Sequence, residues 1–184
     1  MTYPIQVAGL TRHLPLCRLQ DDLYIGAFVI FGDCELTIAC ARELLKKAPD
    51  YDYMITSESK GIPLVYEMAR QHGDTKWILA RKSVKLYMRD VVSSAVQSIT
   101  TDHLQTLYLD GADAELIRGH RILIVDDVIS TGGSLKALET LVSELGGKIV
   151  GRMAILAEGD AQKREDITYL EKLPLFNAQG QIIG

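Results

Sequence analysis

The sequence predicts an α/β domain whose central, mostly parallel sheet is flanked by helices. Residues 122–125 are four consecutive aliphatic residues without polar alternation, typical of a strand buried on both faces of a parallel sheet. Apolar residues then recur at three- and four-residue intervals from Leu135 to Leu145, which predicts a helix that Gly146-Gly147 ends. With 184 residues, 47% of them hydrophobic, the chain has enough core for one domain and is short for two. We therefore expect a single domain over residues 1–184.

The chain before this unit begins with an irregular, β-rich stretch. Residues 5–7 and 23–31 are strand-like, and Asp33 is placed to cap a helix over residues 34–47 that ends before Pro49. Residues 53–56 then predict a strand, 57–63 a loop, 64–72 a helix that Gly73 ends, and 77–80 a third strand. The chain thus contains a second strand-loop-helix unit, which supports the parallel sheet.

The remaining segments surround the central unit. Residues 83–106 are rich in Ser, Thr and Val and show no helical period, which predicts an extended hairpin or a flexible lid. Residues 107–109 lead into the central strand, residues 148–156 predict another strand, and residues 169–176 form an apolar C-terminal piece that caps the core.

Two carboxylates and a small polar loop follow the central strand. Asp126 and Asp127 stand where the aliphatic run ends, and Ser130-Thr131-Gly132-Gly133-Ser134 precedes the helix. In open α/β sheets ligands bind beyond the carboxyl ends of strands, and backbone N–H groups at a helix N-terminus bind phosphate. Carboxylates repel phosphate, but they accept hydrogen bonds from sugar hydroxyls and hold the waters of Mg²⁺. A phosphorylated ribose has both of the required parts.

This motif resembles the phosphoribosyl pyrophosphate (PRPP) signature of the type I phosphoribosyltransferases. The resemblance implies a Mg²⁺-dependent transfer of the 5-phosphoribosyl group, with Asp126 and Asp127 as catalytic residues that hold the ribose hydroxyls and, through water, Mg²⁺. It also implies that the 5′-phosphate is bound by Ser130, Thr131, Gly132, Gly133 and Ser134. The alternative is a strand-turn-helix junction with incidental acids.

A second loop is similar to the Glu-Ala-Arg-Gly pyrophosphate loop of the family. It consists of Glu58, Ser59, Lys60 and Gly61, with Lys60 at the usual Arg position, which keeps the charge but loses the planar two-pronged contact. Glu58 is placed to hold Mg²⁺ or a sugar hydroxyl. Arg81 and Lys82, at the end of the third strand, match a basic pair that the family also places near pyrophosphate, and Lys82 is a further catalytic candidate. A solvated Lys60 and a solvated basic pair are the alternatives.

The base site is predicted from weaker signals. Phe31-Gly32-Asp33 resembles a Phe-Arg-Asp segment of adenine phosphoribosyltransferases whose Phe stacks on the purine, and Val128 is a second base-binding candidate. Packing of Phe31 in the core is the alternative. Tyr87 is the candidate lid residue, although the Leu-Glu-Tyr run of adenine-type lids is missing.

The resemblance also implies a division of the chain. We expect a core over about residues 31–156, a lid over about 83–106, and a base-covering hood from residues 1–30 and 160–184. Leu175 or Phe176 lines the purine pocket in that arrangement, and core packing is the alternative for each.

Several classes of protein and site are disfavoured. The net charge is −4 and the 20 Lys and Arg residues are scattered, so nucleic acid is not an expected partner. No segment is long and apolar enough to span a membrane, and no signal peptide is recognisable. Three unpaired cysteines indicate a reducing cytoplasm and buried or partly buried thiols. The four histidines lack zinc-ligand spacing.

The prediction is therefore a purine phosphoribosyltransferase that forms AMP and pyrophosphate from PRPP and adenine, most simply a homodimer, as the family commonly is. Two alternatives remain. One is an enzyme of the same class that uses xanthine, hypoxanthine, guanine or a pyrimidine. The other is a non-catalytic regulator that senses PRPP or a nucleotide.

Overall fold

The computed structural model describes residues 1–97 and 104–183. Its helices are α1 (Cys34–Leu45), α2 (Ile62–His72), α3 (Gly111–Glu115) and α4 (Gly133–Glu144), with a 3₁₀ helix at Gly159–Lys163. Its strands are β1 (Thr2–Val7), β2 (Leu10–Gln20), β3 (Leu23–Gly26), β4 (Tyr53–Ser57), β5 (Ile78–Ala80), β6 (Val92–Gln97), β7 (Leu104–Leu109), β8 (Arg121–Ile129), β9 (Lys148–Glu158), β10 (Thr168–Leu173) and β11 (Leu175–Phe176).

A five-stranded parallel sheet forms the centre, in the order β10-β9-β8-β4-β5. The predicted α/β class is confirmed. Strand β8 runs four residues beyond the predicted aliphatic run, because Val128 and Ile129 keep pairing with β9. The aspartates therefore lie within the last part of the strand rather than after it.

Helices cover both faces of this sheet, as the unbroken apolar run of β8 requires. Leu123 and Val125 pack with α1 and α2, whereas Ile122 and Ile124 pack with α4 and β7. Asp33 caps α1 as predicted, since its carboxylate accepts a hydrogen bond from the Leu36 N–H at 3.0 Å. Helix α2 begins at Ile62, two residues earlier than predicted, because a proline is tolerated in a first helical turn.

The two ends of the chain meet in a separate four-stranded sheet, in the order β1-β2-β3-β11. The predicted boundary needs one correction, because β10 pairs with β9 in the central sheet and so does not belong with the terminal strands. Phe176 is buried, with its ring centroid 5.0 Å from that of Tyr3. This supports core packing of Phe176, and the base-covering role of the terminal sheet stays a prediction.

Residues within the predicted lid form an antiparallel hairpin. Strands β6 and β7 pair with Val92 opposite Leu109, and the hairpin packs against α4. The segment at 98–103 lies outside the described residues, so the lid function stays a prediction. The prediction for the cysteines was partly wrong: Cys40 is buried, but Cys17 and Cys34 are exposed.

Candidate functional site

The site lies where the order of the central sheet reverses. From β4 the chain moves outward to β5, and from β8 it moves in the opposite direction to β9 and β10. The register sets Ile55 of β4 beside Ile124 of β8, so the residues that follow each of them are neighbours. A reversal of strand order opens a crevice beyond the carboxyl ends, which is where ligands bind in such sheets. Both predicted loops border this crevice.

Asp126 and Asp127 carry the negative charge of the crevice. The Asp126 carboxylate accepts a hydrogen bond from the Asp127 N–H at 2.9 Å. Desolvation, and then the charge of Asp127, raise the pKa of Asp126 to about 7. Asp127 is 3% exposed, and its Oδ2 makes no hydrogen bond within the described part of the chain. A buried carboxylate oxygen without a hydrogen-bond donor is costly unless a ligand or ion completes it.

Lys60 provides the nearest opposite charge. Its Nζ lies 3.3 Å from Asp127 Oδ2, so the loop of residues 58–61 contacts the aspartates at the end of β8. The lysine side chain remains 47% exposed and can therefore exchange this contact for a ligand. The structure thus brings Lys60 and the two aspartates together, and their roles in ligand binding stay predictions.

The carboxylates fit Mg²⁺ in one particular way. Mg²⁺ prefers oxygen ligands, keeps several waters and is usually held by one or two carboxylates together with substrate phosphates. Across residues 1–97 and 104–183, no group of three His, Cys, Asp or Glu side chains is arranged to hold a metal alone. Asp126 and Asp127 could therefore supply two carboxylates to such an ion.

The loop that opens α4 is shaped for an anion. Gly132 has φ +80°, a left-handed conformation that glycine adopts without steric cost, and it is the N-cap of α4. Residues 130–134 line a cavity of about 110 Å³ together with Asp126 and Val128. The hairpin reaches this loop as well, since Gln105 Nε2 donates to Ser134 Oγ at 3.4 Å. All five predicted phosphate-binding residues thus share one cavity.

Glu58 of the second loop binds the basic pair that follows β5. Its carboxylate accepts from Arg81 Nη1 at 2.6 Å and from the Lys82 backbone N–H at 2.9 Å. Arg81 also donates to the Tyr87 hydroxyl, and its guanidinium lies 5.7 Å from the centroid of that ring. Glu58 therefore orients the basic pair, and its predicted contact with Mg²⁺ or a sugar hydroxyl stays a prediction. The peptide bond between Glu58 and Ser59 is cis.

Position 61 requires glycine because a side chain would not fit there. Its backbone conformation, with φ −70°, is open to any residue. A Cβ atom on Gly61 would lie 2.2 Å from Thr56 Oγ1 and 3.1 Å from Asp126 Oδ1. Thr56 is fully buried, and its hydroxyl makes no hydrogen bond within the described residues. The second loop is thus pressed onto the end of β4, next to the aspartates.

This contact predicts that Gly61→Ala will destabilise the protein by about 1–3 kcal/mol, because an added methyl group overpacks a buried position. Urea unfolding measures the loss. Thr56→Ala removes the clashing oxygen, so the double variant should regain part of that stability in a double-mutant cycle. Simple additivity of the two substitutions would contradict the predicted contact.

The two predicted base-binding residues do not line the same cavity. Val128 is half-buried beside the 130–134 loop. Phe31 is 49% exposed on the loop before α1, which contradicts the alternative that it packs in the core. Ile30 is fully buried on one side of it, and on the other Asp33 caps α1 and binds Arg12, with Arg12 Nε 2.6 Å from Asp33 Oδ2. Phe31 therefore lies between two well-anchored residues, and about half of its surface is exposed.

Sequence reasoning missed Glu158 as a site residue. It ends β9, is 8% exposed, and lies near the Ser130 hydroxyl and the Lys60 charge. Burial raises the pKa of Glu158, and the nearby Ser130 hydroxyl and the charge of Lys60 oppose this shift. The signal was present in the sequence, because Glu158 follows an apolar strand just as Asp126 does. Thr56 was missed because a threonine at the end of a strand is too common to stand out.

The family-model comparison matches residues 36–180 to the phosphoribosyl transferase domain. The chain therefore belongs to this family, and its fold is that of the type I phosphoribosyltransferases.

Individual relatives differ in the base that their names specify. An orotate phosphoribosyltransferase of Caldanaerobacter subterraneus subsp. tengcongensis is 29% identical over 145 residues, which are 78% of this chain and 65% of the relative. A hypoxanthine/guanine phosphoribosyltransferase of Methanocella paludicola is 33% identical and covers 72% of this chain and 64% of its own. An adenine phosphoribosyltransferase of Petrotoga mobilis is 31% identical over 70% of each chain. The chain thus spans just under two thirds of the length of the first two relatives.

The crystal structure of an adenine phosphoribosyltransferase from Thermoanaerobacter pseudethanolicus has the same fold. It superposes with a TM-score of 0.65 at 23% identity, covering 78% of this chain and 84% of that one.

Within the described residues, no helix is long and apolar enough to cross a membrane.

Proposed function

We propose that this protein transfers the 5-phosphoribosyl group of PRPP to a nucleobase in a Mg²⁺-dependent reaction, with adenine as the preferred base. The observation that carries the proposal is the crevice itself. Two aspartates lie between a glycine-bearing loop at a helix N-terminus and a lysine-bearing loop. The buried Asp127 has its Oδ2 3.3 Å from Lys60 Nζ and makes no hydrogen bond through that oxygen within the described residues. This arrangement matches a ligand with a phosphate, a sugar diol and a diphosphate in sequence.

Each part of the site has a separate task in the proposed reaction. Backbone N–H groups and hydroxyls of residues 130–134 bind the 5′-phosphate, and Asp126 and Asp127 orient the ribose hydroxyls. Lys60, Arg81 and Lys82 stabilise the charge that develops on pyrophosphate as its bond to C1′ breaks and a base nitrogen attacks. Asp126 and Asp127 would hold Mg²⁺ through water, and the ion would supply positive charge against the diphosphate.

Exclusion of water is the proposed task of the hairpin. A ribosyl cation-like state reacts with bulk water, so a closing lid protects it. Gln105 already bonds to Ser134, and Tyr87 lies on Arg81, so closure of residues 83–106 would act on both ends of PRPP.

We further propose that residues 1–184 form one domain and that two copies associate. Sedimentation velocity measures the association.

The preference for adenine rests on Phe31. A purine stacked on an aromatic ring gains about 0.5–1.5 kcal/mol beyond its burial. Phe31→Ala should therefore raise the KM for adenine several-fold and leave the KM for PRPP unchanged, since PRPP is bound by other loops. Steady-state kinetics with each substrate varied separately tests this. The matched control is Val29→Ala, which truncates a neighbouring side chain that is also exposed (56%).

A screen of free bases with PRPP and Mg²⁺ tests the proposed function. AMP and pyrophosphate should form from adenine, with guanine, hypoxanthine, xanthine and orotate much poorer. If another base reacts while adenine does not, the transfer stands and the specificity is wrong. If PRPP binds and no base reacts, the protein is a sensor of PRPP instead.

A further inference from the structure

An arginine from a distant part of the sequence lies beside the 130–134 loop. Arg164 follows the 3₁₀ helix between β9 and β10, and its Nη1 lies 3.6 Å from where a Cβ of Gly132 would be. Among the described residues, no Lys or Arg belongs to the 130–134 loop or lines its cavity. Arg164 therefore brings a full positive charge to this loop.

The guanidinium of Arg164 is fixed by acidic neighbours on its other side. Its Nε and Nη2 donate to the Asp166 carboxylate at 2.9 and 2.7 Å, and Nη2 also lies 3.6 Å from Glu139 of α4. Arg152 of β9 contacts both of these acids. Within the described residues, Nη1 of Arg164 makes no hydrogen bond. The two hydrogen bonds to Asp166 thus fix the plane of the guanidinium, and with it the direction of the two N–H groups of Nη1.

We propose that Arg164 is a further binding residue for the phosphate monoester held in the 130–134 loop, through Nη1. This inference rests on the proposed function, because it concerns the same ligand. Backbone N–H groups and a helix dipole supply only partial positive charge to a phosphate dianion. A guanidinium adds a full charge and two further donors, and charge-assisted hydrogen bonds of this kind are the strong ones. Asp166 is then a positioning residue that acts through Arg164.

The test compares two probes that occupy different ends of the site. Titration calorimetry of the full chain with ribose 5-phosphate should show affinity reduced about tenfold by Arg164→Gln, the lower end for a hydrogen bond to a charged group. Pyrophosphate with Mg²⁺ should bind as in the parent, because Lys60, Arg81 and Lys82 bind it elsewhere. Arg164→Lys should recover part of the affinity for ribose 5-phosphate, since it keeps the charge and loses the fork. Lys163→Gln, one residue away and exposed, is the matched control and should change neither probe.

The outcomes separate this inference from the proposed function. If the parent binds neither ribose 5-phosphate nor PRPP, the proposed function fails. If the parent binds both and Arg164→Gln binds ribose 5-phosphate equally well, the function stands and the role of Arg164 is wrong. Equal weakening of both probes would show that Arg164 only supports the fold, which would also overturn the inference.

Discussion

Asp126→Asn combined with Asp127→Asn is expected to lower kcat by at least about 100-fold, the scale of losing one preorganised electrostatic contact in an active site. The amides keep the shape of both side chains but remove the charge that holds ribose hydroxyls and the waters of Mg²⁺. The two substitutions should not destabilise the fold. Burial and the neighbouring charge of Asp127 raise the pKa of Asp126, so ionised Asp126 destabilises the ligand-free protein at neutral pH.

Turnover and melting temperature together test this expectation. The ligand-free double variant should melt at the same temperature as the parent or higher, while PRPP with Mg²⁺ should no longer raise its melting temperature. Asp21→Asn with Asp22→Asn is the matched control, because it removes two adjacent charges in the turn between β2 and β3, away from the crevice. Parent-like turnover in the Asp126 and Asp127 variant would exclude the assigned site.

The part of the site that could be predicted from sequence is the part built by local chain geometry. A strand, its terminal acids and the loop that opens the next helix are contiguous, so residues 121–145 specify both the element and the chemistry. The Asp33 cap and the Gly73 stop were predictable for the same reason, because each acts within one turn of its helix.

What could not be predicted depends on contacts between distant segments. Glu58 bonds to Arg81 across 23 residues, and Arg164 lies against a loop that is 32 positions earlier in the chain. The pairing of β10 with β9 was missed because the strand is half-exposed and lacks a continuous apolar run. Such features follow from the order of strands in the sheet, which a local pattern does not encode.

Gly132→Val is expected to weaken PRPP binding by at least about 100-fold, as a misplaced binding group does when its geometry is lost. Gly132 holds φ +80°, which a β-branched residue rarely adopts, and the substitution would strain the backbone by about 1–3 kcal/mol. Relief of that strain turns the N–H groups of residues 131–134 away from the phosphate. The new side chain also points at Arg164, whose Nη1 lies 3.6 Å from the added Cβ.

Calorimetry with PRPP, alongside urea unfolding, separates lost binding from lost folding. Gly119→Val is the matched control, because Gly119 has φ +74° and precedes β8 at the opposite end of the strand. No atom of the described residues lies within 4 Å of its added Cβ. Both variants should lose similar stability, since the backbone conformation is the same, but only Gly132→Val should lose PRPP. If the two variants retain equal affinity for PRPP, the 130–134 loop has a structural role alone. If both lose affinity together, global destabilisation explains the effect, and the loss is not specific to the 130–134 loop.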